Sequence, residues 1–275
     1  MCYTNTGVIK MIKMIATDMD GTFLDENKMF DYEFLSQFYK MEDRNIKFVL
    51  ASGNQYFRLY GQFIPMSEEI YFVADNGSYI AKGPRLIAYE TLSDEQVKAA
   101  LKALQSQPQL FVIMSGLKGV HLLEKNRAYA PIAHTYYRNL MFHENFDHVD
   151  DEIMKIAIYD PNADIHQYED AIRNLLPSGL TATTAGNEWL DIQKTGVNKG
   201  AGIRKLQKLL NISPDECAAF GDAMNDFTLL NSVKYSYAMK NADPRIKAIA
   251  RETLPWTNQQ QGVVKQIRKI LNDQY

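Results

Sequence analysis

The stretch MIATDMDGTFLDE, Met14 to Glu26, starts as an apolar run and then sets two aspartates two residues apart, Asp18 and Asp20, before Gly21-Thr22. A short apolar run closed by an Asp-Gly pair predicts a strand that stops abruptly. Alone, Asp-Gly would mark a turn and nothing more. Short β-branched or aromatic runs recur, however, in IKFVLAS (46–52), IYFVAD (70–75), CAAFGD (217–222) and YSYAM (235–239). Amphipathic stretches such as DYEFLSQFYKMEDRN (31–45), with Asp31 at its start, lie between these runs. Strand alternating with helix predicts an α/β protein with a doubly wound parallel sheet, whose ligands sit outside the carboxyl ends of the strands. Asp18, Asp20, Ser52, Asp75-Asn76 and Asp222 all fall at or just past such ends. Their convergence on one rim makes a shared site a better reading than a set of turns.

The middle of the chain has another texture. After NGSYIAKGP (76–84) come a helical pattern at 93–106 and the runs LFVIMSG and VHLLEK, which read as an antiparallel pair turning near Lys118-Gly119. A helical segment near 126–138, a strand KIAIYD (155–160), a helix near 164–176 and the strands LTATTAG and EWLDIQ follow. The α/β pattern then resumes at GVNKGAGIRKLQKLL (196–210). An α+β unit over 85–192, inserted into a core made of 10–84 and 193–275, accounts for this order, with hinges near 82–86 and 190–195.

Composition removes several classes of function. With 30 basic and 33 acidic residues, net −3, and no long block of like charge, the chain has no electrostatic footprint for nucleic acid or an anionic membrane. A small soluble ligand is the expected partner. Cys2 and Cys217 are too few and too distant for a disulfide framework, which fits a reducing, cytoplasmic setting, with Cys217 a buried strand residue. The start, MCYTNTGVIKMIKMIA, is not read as a signal peptide, no run is long enough to span a membrane, and residues 1–9 read as a loose tail. Met11 and Met14 are alternative starts. His121, His134, His143, His148 and His166 share no metal-ligand spacing and are expected to pack or face solvent. Tyr56, Phe57 and Tyr60, at helical spacing, are expected to pack.

DMDGTFL (18–24), ASGN (51–54), NKG (198–200) and GDAMND (221–226), in that order, resemble the four signature motifs of the haloacid dehalogenase superfamily of phosphohydrolases. NKG and the place of the insertion resemble its Cof-type branch. TDMDGTFL, KFVLASGNQY and SYAMKNA are similar to the bacterial sugar-phosphate phosphatases of that branch. The resemblance spans about residues 12 to 272 and implies a Rossmann-like core with an inserted cap domain.

The chemistry of the residues agrees with it. An aspartate can accept a phosphoryl group and split hydrolysis into formation and breakdown of an aspartyl-phosphate, the role expected of Asp18. Asp20, across the turn, can protonate the departing alkoxide and then deprotonate the attacking water, an effect worth about 10²–10⁴-fold. Gly21-Thr22 permit the sharp exit from the strand and offer N–H groups to an anion. A helix starting after Gly221 would carry Asp222 and Asp226 near its first turn. Several carboxylates facing a phosphate need a cation, and all-oxygen ligands suit Mg²⁺. The resemblance implies that Asp18, the Asp20 carbonyl and Asp222 bind Mg²⁺, with Asp226 an orienting partner or occasional ligand. Ser52-Gly53, at a strand end and helix start, offer a hydroxyl and an N–H to phosphate. Lys199 would supply positive charge to the phosphoryl oxygens, and Asn225 matches a phosphate-contact position in relatives.

Asn54 departs from the wider superfamily, where arginine is common. A sugar-hydroxyl contact and a helix-start hydrogen bond both remain open for it. Asn76 could reach substrate or simply shape a turn. Glu188 and Trp189 are candidates for specificity because relatives place substrate-facing residues in the returning segment. The reading is thus a Mg²⁺-dependent phosphatase of sugar or sugar-alcohol phosphates, its oligomeric state open. A phosphosugar mutase or phosphotransferase on the same scaffold is the first alternative, and a receiver-type signalling module or a catalytically dead binding protein follow.

Overall fold

The computed structural model describes residues 11–185 and 187–273, so the expected tail at 1–9 and Cys2 lie outside the described residues. The first sheet draws on both ends of the chain: β1 (Met14–Thr17), β2 (Lys47–Ala51), β3 (Tyr71–Ala74), β4 (Tyr79–Lys82) and β5 (Arg85–Tyr89). The second sheet uses β6 (Phe111–Gly116), β7 (Val120–Leu123), β8 (Leu140–His143), β9 (Ile153–Tyr159), β10 (Leu180–Ala185) and β11 (Trp189–Lys194). The chain then returns to the first with β12 (Cys217–Gly221), β13 (Tyr235–Ala238) and β14 (Glu252–Thr253). The helices are α1 (Glu33–Asp43), α2 (Tyr56–Gln62), α3 (Asp94–Leu104), α4 (Ala130–Tyr136), α5 (His166–Leu175), α6 (Lys199–Leu210), α7 (Phe227–Leu230), α8 (Pro244–Ile249) and α9 (Gly262–Asp273).

The first sheet runs in the order β14-β13-β12-β1-β2-β3-β4-β5, parallel from β14 to β3 and antiparallel at β4 and β5. All four residues of β1 are buried, as an apolar run between two neighbours should be. On one flank α1 buries Phe34, Phe38 and Met41 at helical spacing, and Phe34 meets Phe48 of β2 with ring centroids 4.8 Å apart. β1 lies between β2 and β12, so the chain leaves the strand ends in opposite senses here and opens a crevice.

The second sheet has the order β10-β11-β9-β6-β7-β8, antiparallel except where β7 pairs with β8. The expected hairpin at Lys118-Gly119 is present as β6 and β7. The short strands β8 and β14 were not legible, because four half-buried residues and two exposed ones carry no alternation. Sheet membership changes over later than the sequence suggests. Lys82 pairs with Arg85 across a Gly83-Pro84 turn, so β5 returns to the first sheet instead of leaving it. The positions expected to be hinges lie in this hairpin and in β11, and the chain crosses between sheets at 90–92 and 195–198.

Two local expectations also change. No long helix follows Gly221: a 3₁₀ turn, Met224–Asp226, leads into the four-residue α7. Nor does a helix start at Gly53, since α2 begins at Tyr56. Tyr56 packs on Tyr79 and Phe72, whereas Phe57 on the next face is 42% exposed. His134, His148 and His166 are exposed, while buried His121 bridges His143 and Asp151 at 2.9 Å each. Cys217 is buried. Among the described residues no helix is long and apolar enough to cross a membrane.

Candidate active site

The pairing of β1 with β12 sets Thr17 beside Phe220, so the residues that follow each strand emerge side by side. Asp18 N–H donates to the Phe220 carbonyl at 3.0 Å. Gly21 turns back with φ +80°, and a Cβ there would lie 2.4 Å from Asp222 Oδ2, so only glycine passes at this point. Thr22 Oγ1 donates to Asp222 Oδ1 at 2.6 Å. Lys199 opens α6 behind the Asn198 cap, whose side chain accepts from Ala201 N–H at 2.9 Å. Its Nζ donates to Asp18 Oδ1 at 2.5 Å and to Asp226 Oδ1 at 2.6 Å. The other oxygen of Asp226 folds back onto the N–H groups of Asp222 and Ala223, at 2.9 and 3.1 Å.

One lysine thus balances three carboxylates, Asp18, Asp222 and Asp226, whose oxygens lie within 4.8 Å of one another. Burial raises Asp18 well above the usual carboxylate range, Asp226 adds to this, and Lys199 opposes it. Burial and then Asp226 lift Asp222 to about 7. Burial works against the charge on Lys199, but Asp18 and Asp226 more than offset it and raise its pKa. Two unit charges 4 Å apart repel by about 4 kcal/mol at an effective dielectric of 20. A surplus of negative charge on oxygen ligands alone is the donor set that fits a hard divalent cation.

Asp20 stands on the other side of the turn. Its burial would raise its pKa, but the hydrogen bond from Lys28 and that from Asn54 bring it below the ordinary value. Lys28 Nζ reaches Oδ1 at 2.8 Å and Asn54 Nδ2 reaches Oδ2 at 2.7 Å. Asn54 is therefore engaged with a carboxylate, and its own N–H donates to Ser52 Oγ at 3.1 Å. Neither role foreseen for it describes this contact: an amide beside a carboxylate donates to it first.

These groups open into a cleft of about 320 Å³ between the sheets. From the first sheet it is lined by Asp18, Asp20, Ser52, Gly53, Asn54 and Asn225 among others. From the second come Tyr136, Tyr137, Lys155, Glu188, Trp189 and Asp191. Lys199 and Asp226 are buried behind Asp18 and do not line it. Asn76 does not line it either, because its side chain donates to Asp191 Oδ2 at 2.6 Å. Lys28, Lys155 and Asp191 were missed from sequence. Lys28 carries no local signal, but Lys155 does, as a charge inside the apolar run IMKIAIY.

Asp75 lies beneath the cleft, fully buried, accepting from Ser115 Oγ at 3.0 Å. Burial raises its pKa to about 6, with Lys155 opposing. Folded protein then keeps a proton on Asp75 that the unfolded chain has already lost, so its contribution to stability falls as pH rises from about 4 to 6. The slope expected from this one group is at most about 1.4 kcal/mol per pH unit. Asp75→Asn should flatten the fall in melting temperature across this window, as thermal scans of the two proteins at matched pH would show. Parallel curves would remove Asp75 as the source.

A family model of haloacid dehalogenase-like hydrolases matches residues 15–267. The 5-amino-6-(5-phospho-D-ribitylamino)uracil phosphatase YbjI of Escherichia coli (strain K12) is 34% identical over 262 residues, 94% of this chain and 96% of that one. HMP-PP phosphatase of Klebsiella pneumoniae (strain 342) is 26% identical, covering 86% of this chain and 88% of that protein. Among solved structures, SMU.1108c from Streptococcus mutans UA159 matches with a TM-score of 0.89 and 29% identity, over 95% of this chain and 99% of that one. The span matched, residues 15–267, takes in the strand ends of the first sheet and the inserted segment alike. Chains of this kind are phosphatases of small phosphorylated compounds, and with both sheets and the acidic rim included in the match, the chain belongs to the haloacid dehalogenase-like hydrolases, in their Cof-type phosphatase branch.

Proposed function

We propose that the chain hydrolyses sugar or sugar-alcohol phosphates through a phosphorylated Asp18. The observation that carries this reading is the contact of Asp18 with Lys199 at the base of a cleft, beside Asp222 and the Ser52-Gly53 loop. An Asp18 oxygen attacks phosphorus, and the bond to the leaving oxygen breaks as Asp20 gives it a proton. Water then attacks the aspartyl-phosphate, Asp20 takes a proton from it, and inorganic phosphate leaves with Asp18 restored. In the free protein Lys28 and Asn54 hold Asp20 as the carboxylate that the second half needs. For the first half an arriving phosphate dianion favours its protonated form by like-charge repulsion.

Lys199 keeps Asp18 oriented, while Ser52 Oγ, the Gly53 N–H and Asn225 face the place of the phosphoryl oxygens. Bound Mg²⁺, held by the carboxylates of Asp18 and Asp222 and the Asp20 carbonyl, would neutralise charge on the phosphoryl group. Asp226, with both oxygens engaged, orients Lys199 and the 222–223 backbone. The second sheet acts as a cap, with Glu188 and Trp189 facing the leaving group and the crossings at 90–92 and 195–198 as hinges. The name of the relative YbjI places its phosphate on a ribityl chain, which supports a sugar-alcohol ester here. A reducing cytoplasm suits the free, buried Cys217.

Phosphate release measured over sugar, sugar-alcohol, nucleotide and cofactor phosphates, in Mg²⁺ and in EDTA, tests this. Turnover of the sugar or sugar-alcohol esters only with Mg²⁺ is expected. Undiminished release in EDTA would remove the metal from the reading, and turnover confined to nucleotides would remove the sugar.

A further inference from the structure

Lys155 is third in β9, a strand whose seven residues are all buried, and is itself only 2% exposed. A lysine so placed is costly unless its charge is paired and its donors are used. Its Nζ donates to the Gly53 carbonyl at 2.7 Å and to Asp191 Oδ2 at 3.1 Å, with Asp75 Oδ1 at 3.8 Å. Two of these partners, Gly53 and Asp75, sit on the first sheet's strand ends, whereas Lys155 and Asp191 belong to the second sheet. The lysine therefore ties one sheet to the other through a loop that lines the cleft.

That loop is held peptide by peptide. Asn76 N–H donates to the Ser52 carbonyl at 2.9 Å, fixing the peptide that carries the Gly53 N–H. The next peptide is held at both ends: its Asn54 N–H donates to Ser52 Oγ at 3.1 Å within the loop, and its Gly53 carbonyl accepts from Lys155 of the second sheet. Asn76 donates in turn to Asp191, closing a ring of contacts around the loop. A Cβ at Gly53 would meet Asn76 Oδ1 at 3.0 Å, so the loop lies directly on this ring. Asp75 Oδ2 and Asn76 Oδ1 are buried without partners, which leaves Lys155 as the cation that compensates this polar seam.

We infer that Lys155 is a positioning residue for the phosphatase reaction: by holding the Gly53 carbonyl it sets the Ser52-Gly53 loop in phosphate-binding form only when the second sheet is seated on the first. This rests on the reading of that loop as the phosphate site. Because the phosphoryl group is common to every substrate, the role makes a distinctive demand. Loss of Lys155 must affect different esters equally, whereas a lysine that touches the leaving group would affect them unequally.

Lys155→Met and Lys155→Arg should be assayed with p-nitrophenyl phosphate and with a hexose phosphate, and with inorganic phosphate as competitive inhibitor. Misplacing a binding loop by about 1 Å can cost about 10²-fold, so kcat/KM of the methionine variant should fall by about that factor for both esters. KM and the inhibition constant of phosphate should rise together, and arginine, which can still donate to Gly53, should restore most of the loss. A loss confined to one ester, or a folded methionine variant with unchanged kcat/KM, overturns the proposal. If Lys155→Met does not fold, Asp191→Asn decides: a smaller loss, equal for both esters, supports it, and an unequal or absent loss overturns it. Ser52→Ala separates the underlying reading, since unchanged inhibition by phosphate there removes the loop as phosphate site whatever Lys155 does.

Discussion

Asp18→Asn should end turnover and at the same time raise the melting temperature of the metal-free protein. The amide has the shape of the carboxylate but cannot take a phosphoryl group, and losing a group that acts as one unit with its neighbours costs about 10⁴-fold or more. The stability effect has the opposite sign for a reason visible in the site. Burial and the nearness of Asp226 hold the Asp18 pKa well above its usual range, which means that folding disfavours the charge. Removing that charge relieves a repulsion that the unfolded chain never feels, and Lys199 keeps Asp226 as partner. Phosphate release from several phosphorylated hexoses, with thermal scans in EDTA, checks both halves. Retained hydrolysis would rule out Asp18 as the nucleophile, and a lower melting temperature would show that the pairing with Lys199 outweighs the crowding.

Lys199→Met should lose activity and stability together. The side chain is 1% exposed and both of its carboxylate partners are buried, so the variant leaves Asp18 and Asp226 with no cation between them. Removing one member of a buried ion pair costs about 3–5 kcal/mol. For a chain of this size that is a fall of about 10 °C in melting temperature. Asp18, whose pKa burial already raises, can recover part of the loss by taking up a proton, so the fall should be larger at about pH 8 than at about pH 5.5. Activity should drop by about 10²–10³-fold in kcat, the scale of removing one preorganised charge from a reacting centre. The pair of substitutions separates two views of the cluster: Asp18 is a functional charge held at a cost, and Lys199 is the charge that makes it tolerable. A variant at position 199 as stable as the parent would contradict that division.

The motifs were legible because each is short and sits where a strand ends or, for NKG, where a helix starts. Asp18, Ser52 and Asp222 could be assigned to one rim from the order of apolar runs and turns alone, since parallel strands in a sheet place their carboxyl ends on the same side. Lys199 was legible as a helix start, and the structure adds that its first contact is Asp18 rather than solvent. Asn54 was visible but ambiguous, because an amide side chain declares neither its partner nor its direction until a carboxylate is set beside it. Asn76 was visible as a strand-end residue and turned out to serve Asp191, a partner 115 positions away. Glu188 and Trp189 were found through the returning segment, whereas Asp191, two and three residues on, was read only as part of a strand.

Periodicity and turn chemistry, which act over a few residues, were enough to determine the class of sheet, the identity of the strand-end carboxylates and the presence of an inserted α+β segment. Which sheet β5 joins, how Lys28 and Asn54 divide Asp20 between them, and why Lys155 sits inside an apolar strand were decided only in the tertiary structure. Pairings such as Asn54 with Asp20, 34 positions apart, and Lys155 with Gly53, 102 apart, depend on distances that nothing in the local spacing of side chains records until the chain has closed.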